Sequence, residues 1–169
     1  NVSIFEQIKH LISTPDRPLR GEAEDRVNVL LTGIGGAGHE GPLLADTIIV
    51  ASIKPSTKEV GFLSIPRDLV VPFPKYEWRK INNALAFGQW LNYPGGGDAL
   101  MREMVELVTG LAIHYQTRID FAGFRKVVDD LGGINVTVDK AFVDSQYPTE
   151  DYGFQVVRFA AGPQRMDGE

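Results

Sequence analysis

The chain has no cysteine. Disulfides, thiolate nucleophiles and cysteine-bound metals are therefore excluded. It has no unbroken apolar run of about 18 residues, the length a helix needs to cross a hydrocarbon core, and no signal-peptide pattern. Histidine is scarce, with three residues, and His10, His39 and His114 lack metal-ligand spacing, so a zinc centre is not expected. Positive charge is also short. Lys and Arg number 17 against 22 Asp and Glu, a formal net charge of −5, and nucleic acid is not expected as a partner.

What is present suits one folded domain: 169 residues, 43% of them hydrophobic, can fill a single core. The chain begins at Asn1 and stops at "QRMDGE", so it reads as a piece of a longer protein with an anchor upstream. Residues 1–25 form a lead-in and 26–169 the domain. In the lead-in, Ile4, Phe5, Ile8, Leu11 and Ile12 recur at helical spacing and predict a short amphipathic helix. Pro15, Pro18 and Gly21 then break it.

Three strands are expected in succession, at Val27–Leu31, Thr47–Ile53 and Val60–Ile65. The second, "TIIVASI", is nearly all β-branched or small and apolar and should be buried centrally. Pro66 stops the third. Residues 66–80, with Pro66, Pro72 and Pro74, read as irregular. "NNALAFGQWL" should open a helix on an Asn cap. Asp98 should cap a longer one, Ala99–Thr109, ended by Gly110. "HYQTRID" is an expected strand, "FAGFRKVVDDLGG" a helix closed by paired glycines, and "INVTV" a strand. A β-meander followed by alternating strands and helices predicts an α/β or α+β domain with helices on both sides of one sheet.

Gly33, Gly35 and Gly38 spell G-x-G-x-x-G after an apolar run, but the dinucleotide reading fails. That site needs a helix straight after the glycines to hold the pyrophosphate, whereas here "HEGPLLAD" leads directly into a strand. A β–β loop remains, and it delivers Asp46 to the sheet edge, where a carboxylate suits a hard cation or a general base. Arg67 and Asp68 follow the strand-ending Pro66, and arginine's planar fork suits phosphate oxygens. Arg79 and Lys80 precede Asn82 and Asn83 at an expected helix start, where cations and amides favour anions. Together these loop clusters point to metal-assisted phosphate chemistry. Each also has a plainer reading, as a turn carboxylate, a surface ion pair or a solvated basic pair.

Four blocks, "DTIIVASIKPSTKEVGFLSIPRD", "KINNALAFG", "IDFAGFRKVVDDLGGINVTV" and "FAAGPQRMDGE", resemble the LytR-CpsA-Psr family in order and spacing. The resemblance implies a three-layer α/β/α sandwich around one central mixed sheet, with a lipid tail in an apolar pocket beneath the sheet. It implies an extracytoplasmic phosphotransferase tethered by an N-terminal membrane helix. Such an enzyme moves an anionic glycopolymer, such as teichoic acid, from a polyprenyl diphosphate carrier to a peptidoglycan hydroxyl, with Mg²⁺ assisting. Residue by residue, Asp46 corresponds to the metal-linked aspartate, Arg67 to the pyrophosphate-binding arginine with Asp68 beside it, and Lys80 and Asn82 to the Lys-Ile-Asn block.

Two departures stand out. The family's second acidic residue in the first loop is absent here, leaving Glu40 as the candidate second metal ligand and His39 as a neutral alternative, and the usual arginine before Asp46 is Leu44. The chain also stops at Glu169, before the further substrate-binding arginines, so little transferase activity is expected from these residues alone. Two alternatives stay open: a non-catalytic binder of polyprenyl phosphate or wall polymer, and a pyrophosphatase acting on the same lipid carrier.

Overall fold

A computed structural model describes residues 18–74, 76–149 and 153–169. The helix expected at the start of the chain lies outside them. The chain divides into two compact units, one running to Gly123 and the other Phe124–Glu169.

The first unit is built on a four-stranded mixed sheet. Strands β1 (Val27–Ile34), β2 (Ala45–Lys54) and β3 (Glu59–Ser64) form an antiparallel meander. The short β4 (Val70–Pro72) and β5 (Trp78–Lys80) make a separate ribbon. Next come a 3₁₀ turn (Ile81–Asn83) and helices α1 (Ala84–Trp90) and α2 (Gly96–Thr109). The chain then returns as β6 (Tyr115–Ile119), parallel to β1, giving the order β3-β2-β1-β6. The sheet is thus mixed, as expected, with "TIIVASI" on an internal strand.

Cross-strand register sorts the apolar residues onto two faces. Leu30 pairs with Val50 and Thr32 with Ile48. This face packs on α1 and α2, and Leu30, Ile48, Val50, Leu85, Leu100 and Met101 are all essentially buried. At roughly 1.5–3 kcal/mol per buried side chain, this layer dominates the stability of the unit. The opposite face carries Val29 and Ala51 alongside Phe62, and Leu31 alongside Ile49. It is much less covered, and Phe62 is 71% exposed.

α1 and α2 meet through glycine. A Cβ on Gly97 would lie 2.1 Å from the Leu85 carbonyl oxygen, and one on Gly88 would lie 2.6 Å from the Gly97 Cα. Only two adjacent glycines allow backbones this close.

Several boundaries differ from expectation. α2 starts at Gly96 rather than Ala99, because Gly95 takes the left-handed conformation (φ 83°) and serves as N-cap, while Asp98 falls in the first turn without capping it. Asn83 takes the N-cap position of α1, as expected, but its side chain makes no capping bond. Its amide donates to the Lys80 carbonyl and to Asn82 Oδ1. Gly110 ends α2 as expected, at φ 68°. The segment 66–80, expected to be irregular, holds the β4–β5 ribbon.

The second unit contains most of α3 (Phe121–Asp130), the antiparallel pair of β7 (Ile134–Val138) and β10 (Gly162–Met166), and the hairpin of β8 (Phe142–Pro148) and β9 (Phe154–Phe159). Gly132 and Gly133 close α3 with φ of 75° and 93°. Arg165 Nε donates to the Gly132 carbonyl at 2.7 Å, fastening β10 to this turn.

Candidate functional site

Asp46 lies inside β2 rather than before it. Gly33 faces Thr47 and Ile34 faces Ala45, so Asp46 has no partner across the ladder. This is a β-bulge, a device that re-aims a side chain at a sheet end. Ala45 fills the core at 0% exposure while the Asp46 side chain stays 52% exposed.

Arg67 and Asp68 owe their place to Pro66. Ile65 still donates to the Ile48 carbonyl at 2.9 Å, but proline has no N–H and the ladder ends there. The turn that follows is closed by Leu69 N–H donating to the Pro66 carbonyl at 3.0 Å. It is fastened from the other side, since Ile81 N–H donates to the Leu69 carbonyl at 2.8 Å and Asn82 N–H to the Arg67 carbonyl at 3.2 Å. Lys80 ends β5 immediately before these anchors.

The result is a chain of alternating charges. Arg67 Nη1 donates to Asp46 Oδ1 at 2.5 Å, Arg67 Nε lies 3.7 Å from Asp68 Oδ2, and Lys80 Nζ donates to Asp68 Oδ1 at 2.6 Å. Lys80 and then Arg67 hold the Asp68 carboxyl below its ordinary value. The hydrogen bond and charge of Asp46, followed by the charge of Asp68, raise the Arg67 guanidinium further. All four side chains are 52–58% exposed. Arg67 Nη2 and the remaining Lys80 ammonium protons bond no protein group among the described residues. The two cations can therefore still receive phosphate oxygens.

The other expected residues stand apart from this chain. Asn82 is 8% exposed, its Oδ1 accepts from Asn83 and its N–H donates to the Arg67 carbonyl, so it braces the Arg67 turn from within. Arg79 leaves Lys80's side of the strand, its guanidinium 4.4 Å above the Phe87 ring. Glu40 is exposed in the glycine loop and His39 packs on Phe121 at 5.2 Å. Among the described residues no group of three or more His, Cys, Asp or Glu is placed to hold a metal. Asp120, which the sequence reading passed over, accepts from Gly123 N–H at 2.8 Å. A Cβ on Gly36 (φ 81°) would lie 2.7 Å from the Asp120 Cβ, so the loop needs glycine there. On the helix-covered face, a cavity of about 210 Å³ is lined by Leu30, Asp98, Met101 and Arg118. No residue of the charge chain lines it.

Fold and site together define a mixed α/β domain with an exposed chain of alternating charges at one end of its sheet. The chain belongs to the LytR_cpsA_psr family, whose family model matches residues 5–169. It is 33% identical over 159 residues to the polyisoprenyl-teichoic acid--peptidoglycan teichoic acid transferase TagU of Oceanobacillus iheyensis, covering 85% of this chain and 48% of that protein. Its fold is similar to that of the LytR-CPS2A-psr family protein YwtF (TagT) with bound octaprenyl pyrophosphate lipid, with a TM-score of 0.66 and 26% identity, covering 92% of this chain and 57% of that one. It is similar also to TagT bound to LI-WTA, with a TM-score of 0.67 and 26% identity over 92% and 55% of the two chains. The chain spans about half the length of the relatives it matches.

Proposed function

We propose that this chain carries the diphosphate-binding part of an enzyme that transfers an anionic glycopolymer from a polyprenyl diphosphate carrier to peptidoglycan, at the extracytoplasmic face of the membrane. The observation that carries the reading is the exposed Asp46–Arg67–Asp68–Lys80 chain at the end of a sheet that also leaves the apolar side chains of Val60 and Phe62 exposed on β3. A prenyl diphosphate has this same pairing of charged head and apolar tail. The relatives named as teichoic acid transferases, and the relative bound to octaprenyl pyrophosphate, support it. No helix among the described residues is long and apolar enough to cross a membrane, and the tether belongs to the proposal.

In the transfer, a peptidoglycan hydroxyl oxygen attacks the phosphorus that bears the glycan. The P–O bond to the carrier phosphate breaks, polyprenyl phosphate leaves, and a phosphodiester joins glycan to acceptor. Arg67 and Lys80 hold the diphosphate oxygens in line, which is most of what phosphoryl transfer asks of a protein. Asp46 accepts the hydroxyl proton.

The two cations and two carboxylates sum to zero charge, so the chain alone does not neutralise a diphosphate. Mg²⁺ fits this deficit, because it binds through one or two carboxylates together with substrate phosphates and water. Asp46, half exposed and with no hydrogen bond to Oδ2 among the described residues, would hold it, with Glu40 as the candidate second ligand. Bound there, the ion would supply charge neutralisation at the diphosphate. The same zero charge favours a second reading, in which these residues bind the carrier without transferring from it.

The test is Mg²⁺-dependent release of polyprenyl phosphate from a diphosphate-linked glycan, with peptidoglycan as acceptor. It compares the parent with Asp46→Ala and Arg67→Ala. Loss in both variants supports the site. Release without transfer to peptidoglycan identifies a pyrophosphatase, and turnover unchanged in both variants contradicts the assignment.

A further inference from the structure

We propose that the outer face of the β4–β5 ribbon is a sugar subsite, where Trp78 stacks against the hexose ring attached to the bound diphosphate. The proposal rests on the diphosphate reading above and adds the part of the ligand that reading leaves unplaced.

The ribbon has two distinct faces. Val71 pairs with Arg79 on the inner one, where Val71 is 1% exposed and Arg79 lies on Phe87. Pro72 pairs with Trp78 and Val70 with Lys80 on the outer one. Trp78 is 68% exposed there and Val70 49%, and Trp78 has no ring partner among the described residues. The chain's other tryptophan, Trp90, packs edge-on against Phe87 at 5.6 Å. Phe87 also receives Arg79, so Trp90 belongs to the inner side of β5.

Trp78 and Lys80 are two residues apart on one strand face, about 6.6 Å at roughly 3.3 Å per residue. That is the reach of one sugar ring from a phosphate held at Lys80. An indole offers a flat apolar surface to the C–H face of a pyranose and leaves its hydroxyls in water. Lys80 is fixed on Asp68 at 2.6 Å, so the phosphate end of the ligand has a defined starting point. A lipid surface is the poorer partner. The outer face is three residue pairs long, and Lys80 on it is already paired with Asp68 at 2.6 Å, which leaves little net positive charge to draw an anionic leaflet.

The test uses farnesyl diphosphate and the same molecule with N-acetylglucosamine on its terminal phosphate. Titration by calorimetry in Mg²⁺ compares the parent with Trp78→Ala, Trp78→Phe and Trp90→Ala. The parent should bind the glycosylated probe about tenfold more tightly than the bare one. Trp78→Ala should abolish that difference without changing affinity for bare farnesyl diphosphate. Trp78→Phe should keep most of the difference, and Trp90→Ala all of it.

Equal affinity of the parent for both probes would overturn the subsite. So would equal loss on both probes in Trp78→Ala, or a Trp78→Phe variant as weak as Trp78→Ala. Loss of binding to phosphatidylcholine vesicles in Trp78→Ala would overturn it in favour of a membrane contact. Failure of the parent to bind bare farnesyl diphosphate would overturn the diphosphate reading and the subsite with it.

Discussion

Gly97→Ala should destabilise the domain by about 2 kcal/mol and weaken diphosphate binding, although Gly97 touches none of the charged residues. The added Cβ would sit 2.1 Å from the Leu85 carbonyl oxygen and 2.8 Å from the Leu85 carbonyl carbon and Cα. All three are backbone atoms, so no rotamer change relieves the clash and α1 must move by more than an ångström. Overpacking of this kind costs about 1–3 kcal/mol, towards the upper end when a whole helix must shift. Replacing a helical glycine by alanine returns up to about 1 kcal/mol, which leaves the net figure. For a domain of this size that corresponds to a fall of about 4–8 °C in Tm.

The functional effect follows from connectivity. α1 continues directly from the turn Ile81–Asn83, whose Ile81 and Asn82 N–H groups hold the Leu69 and Arg67 carbonyls. Displacing α1 therefore pulls Lys80 away from Asp68. Urea unfolding together with prenyl diphosphate titration would read both effects. Gly88→Ala should behave alike, and the double variant should cost less than the sum, because both clashes lie in one contact. Gly61→Ala is the control, since its Cβ would meet nothing within 4 Å. A Gly97→Ala protein as stable as the parent would refute the argument that backbone contact fixes α1.

Leu30→Ala should cost about 2–5 kcal/mol by denaturant unfolding, because Leu30 is 1% exposed between β2 and α2. Asp68→Asn should reveal a pH-dependent contribution. The folded carboxyl is held below its ordinary value by Lys80, so its stabilisation is complete above the unfolded value, about 3.9. It is lost as pH falls through the lower folded value. The unfolding midpoints of parent and Asp68→Asn should thus differ at pH 6 and converge well below pH 4, and a difference that persists in acid would contradict the pairing. Gly36→Ala should destabilise through the closing glycine loop, since its Cβ would meet Asp120 at 2.7 Å and φ is 81°, and thermal unfolding would read the loss.

What the sequence revealed depended on how local each determinant is. β1, β2, β3 and α2 carry their own periodicity and were legible from it. α2's first residue was not, because a glycine able to adopt φ 83° displaced the better-known capping residue Asp98. The β4–β5 ribbon escaped notice because three-residue strands, one of them ending on Pro72, have no pattern to read. The site residues Asp46, Arg67, Asp68 and Lys80 stood out as charges at element ends. Their linkage depends on the bulge at Asp46 and on the hydrogen bonds from Ile81 and Asn82, which are matters of register between distant segments. Arg79 looked equivalent to Lys80, and only strand alternation and the distant Phe87 separate them.

The most direct test of the account is titration of the chain with octaprenyl diphosphate in detergent and Mg²⁺, comparing the parent with Arg67→Ala and Arg67→Lys. The account predicts saturable binding by the parent, a loss of about tenfold or more in Arg67→Ala, and a smaller loss in Arg67→Lys, because an ammonium keeps the charge but not the planar fork. Arg67→Ala binding with the parent's affinity would contradict it.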